Sequence, residues 1–341
     1  MTLIRRGLFW SLLVLMTTSL SGQDIHFTQF NLAPLTVNPA LTGAFSGSFR
    51  LGGLYRDQWS STYSTPAFYL DSPILKGFRE MDWIGIGASV YQDKAQATFV
   101  PFGNGQSVVG SVKQGGLLGS AAYHLALDKE RNTVIAVGIQ GGTLSRSLHD
   151  EWRFEDAILS GSTTTERLPD SESPTSFLDV SGGITITGKT SGQSFYRIGF
   201  SMLHINNPRN AVLGSSGGAK LPRRAVGYAT YNLELNEKIL VIPSVLYQTI
   251  GPASEFSAQG MVGYKMPEQE TVLKAGLGYR IGDALEVLLG VDYKDFRVGA
   301  SYDLTLSDLA APNNAFELAV AYIGRIYKRP KIDPVIFCPR F

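Results

Sequence analysis

The groups best able to do chemistry in this 341-residue sequence are four histidines, one cysteine and a set of charges spaced along its last third. His26, His124, His149 and His204 are scattered, with no short-range pair of the kind that holds a metal ion. Cys338 stands alone, which excludes an internal disulfide and a cysteine-rich zinc site. There is no glycine-rich phosphate loop. A serine–histidine hydrolase would need its partners brought together by the fold. His124 and His204 fall on or just beyond the ends of strand-like segments, which suits hydrogen-bonded rim residues better than bases. The sequence therefore points to no catalytic centre, no metal and no cofactor.

Lys274, Arg280, Glu286, Asp292, Arg297, Asp303 and Glu317 differ in kind. Each has an apolar residue on either side, so in an extended chain it faces the opposite way from its neighbours. Signs are mixed on adjacent segments, which suits cross-strand pairs that neutralise buried charge. An ion-selective pore would more often show one sign at its constriction. These seven are the candidate lining of a polar interior, one that also has the character to receive a peptide or protein element.

Such an interior has to be built from strands. Alternating segments of about ten residues recur at 48–58, 64–72, 82–92, 117–127, 132–143, 176–187, 194–204, 223–233, 239–249, 255–264, 271–281, 284–293, 295–303 and 314–324. In the segment 284–293, Leu285, Val287, Leu289, Val291 and Tyr293 alternate with Glu286, Leu288, Gly290 and Asp292. Ten tilted residues match the hydrocarbon thickness of a bilayer, and an even number of strands closes with both chain ends on one side. Tyr279, Tyr293, Tyr302 and Tyr322 sit near segment ends, where an interfacial aromatic girdle falls. The expected fold is all-β: a transmembrane antiparallel outer-membrane β-barrel of about fourteen strands. A soluble β-sandwich also alternates, but it has no use for charged, glycine-rich inner faces.

Composition agrees. The 30 basic and 29 acidic residues nearly cancel, giving no electrostatic case for nucleic acid, while 37 glycines and 11% aromatics suit a barrel. Beyond residue 22 no stretch approaches the ~18 apolar residues of a spanning helix. Arg5 and Arg6, the apolar run Gly7–Leu20, and then Ser21 and Gly22 have the layout of a secretory signal peptide over 1–22. With strands counted from a periplasmic N-terminus, the longest connections (93–116, 144–175 and 205–222) follow strands three, five and seven. Short ones (128–131, 234–238 and residue 294) follow strands four, eight and twelve. Long external loops and short periplasmic turns are the rule for such barrels.

Flanking the barrel region 48–324 are two segments of another character. Residues 23–47 contain Pro34 and Pro39 with the apolar anchors Phe27, Phe30, Leu32, Leu35 and Leu41. They suit either an irregular plug or collar that narrows the lumen or docks a partner, or a tail on the periplasmic rim. Residues 325–341 form a basic, proline-broken tail expected on the periplasmic side, either a docking strap or a solvated end. In the first strand Arg56 and Gln58 share a face with Leu54, while Tyr55, Asp57 and Trp59 share the other; an inner salt bridge with a girdle aromatic is the simpler reading, a recognition role the sharper one.

The motifs carry a resemblance. Gln23-Asp24-Ile25-His26-Phe27-Thr28-Gln29-Phe30 precedes Asn38-Pro39-Ala40-Leu41-Thr42-Gly43, then Tyr55-Arg56-Asp57-Gln58-Trp59, and the chain ends Cys338-Pro339-Arg340-Phe341. This ordered series resembles the PorP/SprF family of the Bacteroidetes type IX secretion and gliding machinery. Thr28 stands where serine is usual and Asp57 where asparagine is usual. The resemblance implies an integral outer-membrane protein that helps export or surface-anchor adhesin-like cargo carrying a type B C-terminal domain. It also implies coupling to periplasmic lipoprotein components of the machinery, with membrane lipid as the other partner. The alternative is a diffusion channel or small-solute transporter.

Overall fold

The structure, a computed structural model, describes residues 24–59, 61–76, 81–99, 107–149, 175–209, 220–307 and 314–326. The expected signal segment 1–22, the tail beyond Ile326 with Cys338, Pro339, Arg340 and Phe341, and the side chain of His149 lie outside the described residues.

Fourteen strands follow one another: β1 (Phe49–Gln58), β2 (Tyr63–Ile74), β3 (Trp83–Phe99), β4 (Ser107–Ala126), β5 (Thr133–His149), β6 (Thr175–Lys189) and β7 (Phe195–Leu203). They continue with β8 (Arg224–Glu234), β9 (Ile239–Ile250), β10 (Ala253–Met266), β11 (Thr271–Arg280), β12 (Ala284–Tyr293), β13 (Phe296–Thr305) and β14 (Ala315–Gly324). Every strand pairs antiparallel with its sequence neighbours. β1 then meets β14, from Phe49 opposite Gly324 to Gln58 opposite Ala315, and closes the barrel. Closure leaves no lipid-facing edge along that seam.

The alternation that forms the strands sorts side chains inside out. Leu117, Ile139, Leu277 and Leu289 are exposed on the outer wall, whereas Glu286, Glu317, Asp303 and Asp179 are buried within. A water-soluble protein does the reverse. Among the described residues no helix is long and apolar enough to cross a membrane.

The two longest connections, 150–174 and 204–223, leave the same end of the barrel, the loop end, and every connection at the other, the turn end, has eight residues or fewer. Towards the loop end, β3 and β4 run through most of the stretch 93–116 that sequence assigns to a connection, and β5 reaches His149. The reason lies on the outer face of β3. Its outward positions change from Ile86, Ala88 and Val90 to Gln92, Lys94 and Gln96, so the apolar period stops while backbone pairing goes on. β7 and β8 are short by comparison. β6 pairs with β5 up to Thr175 opposite Arg146, but with β7 only from Gly182 to Lys189.

Residues 24–47 lie in the lumen and descend from its loop-end half to the turn end, where β1 begins. The only regular structure is a four-residue helix at Pro34–Val37 and 3₁₀ turns at Phe30–Leu32 and Pro39–Leu41, each proline occupying the first position, where its missing N–H costs nothing. Ile25, Phe27 and Leu35 pack with Leu54, Tyr69, Tyr91, Leu118 and Leu144 of the wall. Phe30, Val37 and Leu41 pack with Leu203, Val226, Tyr228 and Leu246. Each such side chain, if fully buried, contributes ~1.5–3 kcal/mol.

A buried segment with no ladder of its own must find partners for its carbonyls. Barrel side chains supply them. Arg224 donates to Ile25 O, Gln259 to Thr28 O, Tyr69 to Leu32 O, Gln140 to Leu35 O, Ser201 to Val37 O and Trp83 to Gly43 O.

Candidate functional site

The lumen grips the segment at four levels. Nearest the loop end, Asp24 accepts from Arg224 Nη1 at 2.8 Å and meets His204 Nε2 at 3.1 Å. The other ring nitrogen of His204 meets Asp179 Oδ1 at 2.8 Å. Both ring nitrogens face carboxylates, so both act as donors and the ring is an imidazolium. Burial opposes that charge, but Asp24 and Asp179 outweigh it and push the His204 pKa up to about 9. Burial likewise opposes the Asp24 carboxylate, yet His204 and Arg224 hold it well below the usual range.

Next comes a charge clamp around Thr28. Its hydroxyl donates to Asp303, with Oδ2 at 2.8 Å, and accepts from Arg56 Nη1 at 2.8 Å and Arg280 Nη2 at 2.9 Å. One donor and two acceptor sites are all a hydroxyl has, and all are used. Glu317 receives the backbone N–H of Thr28 at 2.9 Å and that of Gln29 at 2.8 Å, one on each oxygen. Arg56 pairs with Asp303 and Glu317, and Arg280 with Glu286 and Asp303. Since the hydroxyl is the working group, a serine at position 28 offers the same bonds.

Midway, Asn38 is fully buried. Its Nδ2 donates to Ile184 O at 3.0 Å and Phe200 O at 3.2 Å, tying β6 to β7, while Oδ1 accepts from Ala40 N at 2.8 Å. Pro39 and Ala40 press on Gly138 of β5 so closely that a Cβ there would lie 2.4 Å from both backbones. At the turn end Asp71 accepts from Arg50, with Nη2 at 2.7 Å, and from Gly43 N at 2.7 Å. Gly43 has φ +72°, a left-handed conformation open to glycine. His124 Nε2 bonds Thr42 O at 2.7 Å and its ring stacks on Trp83 at 4.5 Å.

The seven alternating charges do not share one fate. Arg280, Asp303 and Glu317 converge on residues 28–29, and Glu286 stands behind them, bonded to Arg280 and to Gln259. Lys274 and Asp292 form a separate cross-strand pair at 2.5 Å nearer the turn end. Arg297 is exposed there and forms no ion pair among the described residues. Of the motif residues, Gln29, Phe30, Asn38, Pro39, Gly43, Arg56 and Gln58 are inside, Gln58 accepting from Arg56 Nε at 3.4 Å. Tyr55 faces outward, and Trp59 packs edge-on against Tyr63 at 5.4 Å. Arg50, Asp71, Asp179, Arg224 and Gln259 escaped the sequence-based selection, and Asp24 and Thr28 entered it only as members of the motif series. The available signal was a lone polar residue inside an alternating strand, as Asp179 is between Leu178 and Val180; Asp71, followed by Ser72, lacked even that.

A closed fourteen-strand barrel with an apolar outer wall and a charged interior defines an integral β-barrel protein of the outer membrane. The type IX secretion system membrane protein PorP/SprF family model matches residues 19–322, and the chain belongs to that family. Solved structures share the fold at low identity. The Pseudomonas putida toluene transporter TodX aligns at 14% identity and TM-score 0.54, over 86% of this chain and 93% of that one. The Ralstonia pickettii toluene transporter TbuX aligns at 12% identity and TM-score 0.52, over 86% and 94%. No curated protein matches the sequence significantly. The short-turn end is then periplasmic and the loop end extracellular.

Proposed function

We propose that this barrel works by holding protein, without a catalytic centre of its own. Its extracellular end binds the type B C-terminal domain of adhesin-like secreted cargo during export or anchoring. Its periplasmic end couples to lipoprotein components of the secretion machinery. One observation carries the reading: residues 24–47 fill the lumen and are fastened there by buried ion pairs, which suits a stationary holder better than an open pore. The periplasmic mouth adds support for docking, with a cavity of about 460 Å³ beside Phe45 and Trp83 where Lys76, Arg131, Lys189 and Arg197 face Glu130 alone.

The second reading, a small-solute channel, draws on the fold shared with toluene transporters. It requires a path past the segment fastened in the lumen. Purification from native membranes in mild detergent, with identification of bound proteins, and planar-bilayer recording separate the two. Co-purified cargo and no stable open conductance are expected. A steady open conductance with no bound protein would overturn the holding function.

A further inference from the structure

Among the described residues the outer half of β6 lacks a full set of neighbours. Its odd-numbered residues direct their N–H and C=O groups towards β5, as Lys189 N does in donating to Asn132 O. Its even-numbered residues therefore face the β7 side. From Gly182 onward β7 answers them, but β7 has ended at Leu203 by the level of Ser181, while β5 supports β6 up to Thr175.

What stands in the place of β7 is the side chain of Asn206 and one backbone N–H, that of Ile205. Asn206 Oδ1 accepts from Val180 N at 3.2 Å, and its Nδ2 donates to Leu178 O at 2.7 Å. Ile205 N donates to Val180 O at 2.8 Å. A carboxamide has the donor and acceptor of a peptide group, so Asn206 imitates one link of a neighbouring strand. The imitation stops there. Leu178 N–H and both backbone groups of Ser176 have no hydrogen-bond partner among the described residues, and the Leu178 side chain is 64% exposed. An unpaired edge on a rigid sheet is a template for strand addition, and near the hydrocarbon region unpaired backbone groups are costly.

We infer that Thr175–Ser181 is a docking edge for an extended segment of the cargo's C-terminal domain, which displaces the Asn206 carboxamide and continues the line of β7. This rests on the cargo-holding function. Regularly spaced donors and acceptors are what a polypeptide supplies and a lipid does not. The segment's side chains should alternate, apolar outward beside Leu178 and Val180, small or polar inward beside Asp179 and Ser181.

The test is binding of a purified, tagged type B C-terminal domain to the full-length barrel in detergent. Leu178→Pro removes an N–H that faces the open side, where proline is tolerated. It should weaken binding at least tenfold with the heat-modifiable folded barrel retained. Asn206→Ala uncovers the edge and should bind at least as well as wild type. A photo-reactive residue in place of Ser176 should form an adduct with the domain. Undiminished binding by Leu178→Pro, or an adduct only within the chain itself, overturns the docking edge and leaves the holding function standing. Failure of the wild-type barrel to bind the domain overturns the holding function and this inference with it. If Leu178→Pro does not fold, the adduct at position 176 decides.

Discussion

Replacing Thr28 with valine keeps the shape of the side chain and deletes the hydroxyl at the centre of the clamp. Three bonds are lost, to Asp303, Arg56 and Arg280. A hydrogen bond to a charged group contributes about 1.5–3 kcal/mol, but the three are not independent. Arg56 keeps Asp303 and Glu317, and Arg280 keeps Glu286 and Asp303, so neither guanidinium is stranded. The net loss is then close to one such bond, about 2 kcal/mol, or roughly a 30-fold rise in the open population of the segment. Hydrogen exchange reads this directly. The Thr28 and Gln29 amides are bonded to Glu317 and exchange only when the segment lifts away. Thr28→Val should speed their exchange roughly 30-fold, taking the 2 kcal/mol above, while Thr28→Ser should leave it near wild type. Equal protection in the valine and serine variants would refute the hydroxyl-centred clamp.

Three further outcomes are expected. Gly138→Ala drives a Cβ against Pro39 and Ala40; overpacking of this kind costs about 1–3 kcal/mol, visible as faster proteolysis within residues 24–47 of an intact barrel. His204 has a pKa of about 9, above its ordinary 6.5, from Asp24 and Asp179, with Arg224 also on Asp24. Its contribution is therefore fully present below pH 6.5 and is lost as pH rises through about 9, so the protection factor of the bonded Thr28 amide, which removes the intrinsic base-catalysed rise in exchange, should fall across that window and stay level in His204→Gln. Lys274→Ala removes a partly exposed pair worth no more than about 1 kcal/mol and distant from the clamp. Exchange at Thr28 should not change, and a rise there would mean that the two charge groups are coupled.

The barrel was legible because lipid imposes a test at every second residue. Leu285, Val287, Leu289 and Val291 pass it, and β12 falls where the alternation places it. Beyond the bilayer the test lapses, so the upper parts of β3 and β4, with Lys94, Gln96 and Lys113, read as loop. The same period shows that Asp303 and Glu317 turn inward but not what they meet there. Thr28 lies 275 residues from Asp303 in the chain, and only closure of the barrel brings them together. Mixed signs suggested neighbouring-strand pairs, which describes Lys274 with Asp292. Arg280 behaves otherwise, reaching Glu286 on the next strand and Asp303 one strand further. Nothing in a linear pattern marks a charge that serves three elements at once.

The descent of residues 24–47 through the lumen constrains how the molecule is assembled. The segment enters β1, and β1 is zipped to β14, the last strand made. Once that seam is shut, a chain already anchored at the periplasmic rim would have to be fed lengthwise past Asn38 and Gly138, where backbones touch. Laying the segment along the inner wall of an unsealed sheet avoids that passage. The β1–β14 joint should then form late, and the buried pair between Arg56 and Glu317, which straddles it, should report the moment of sealing.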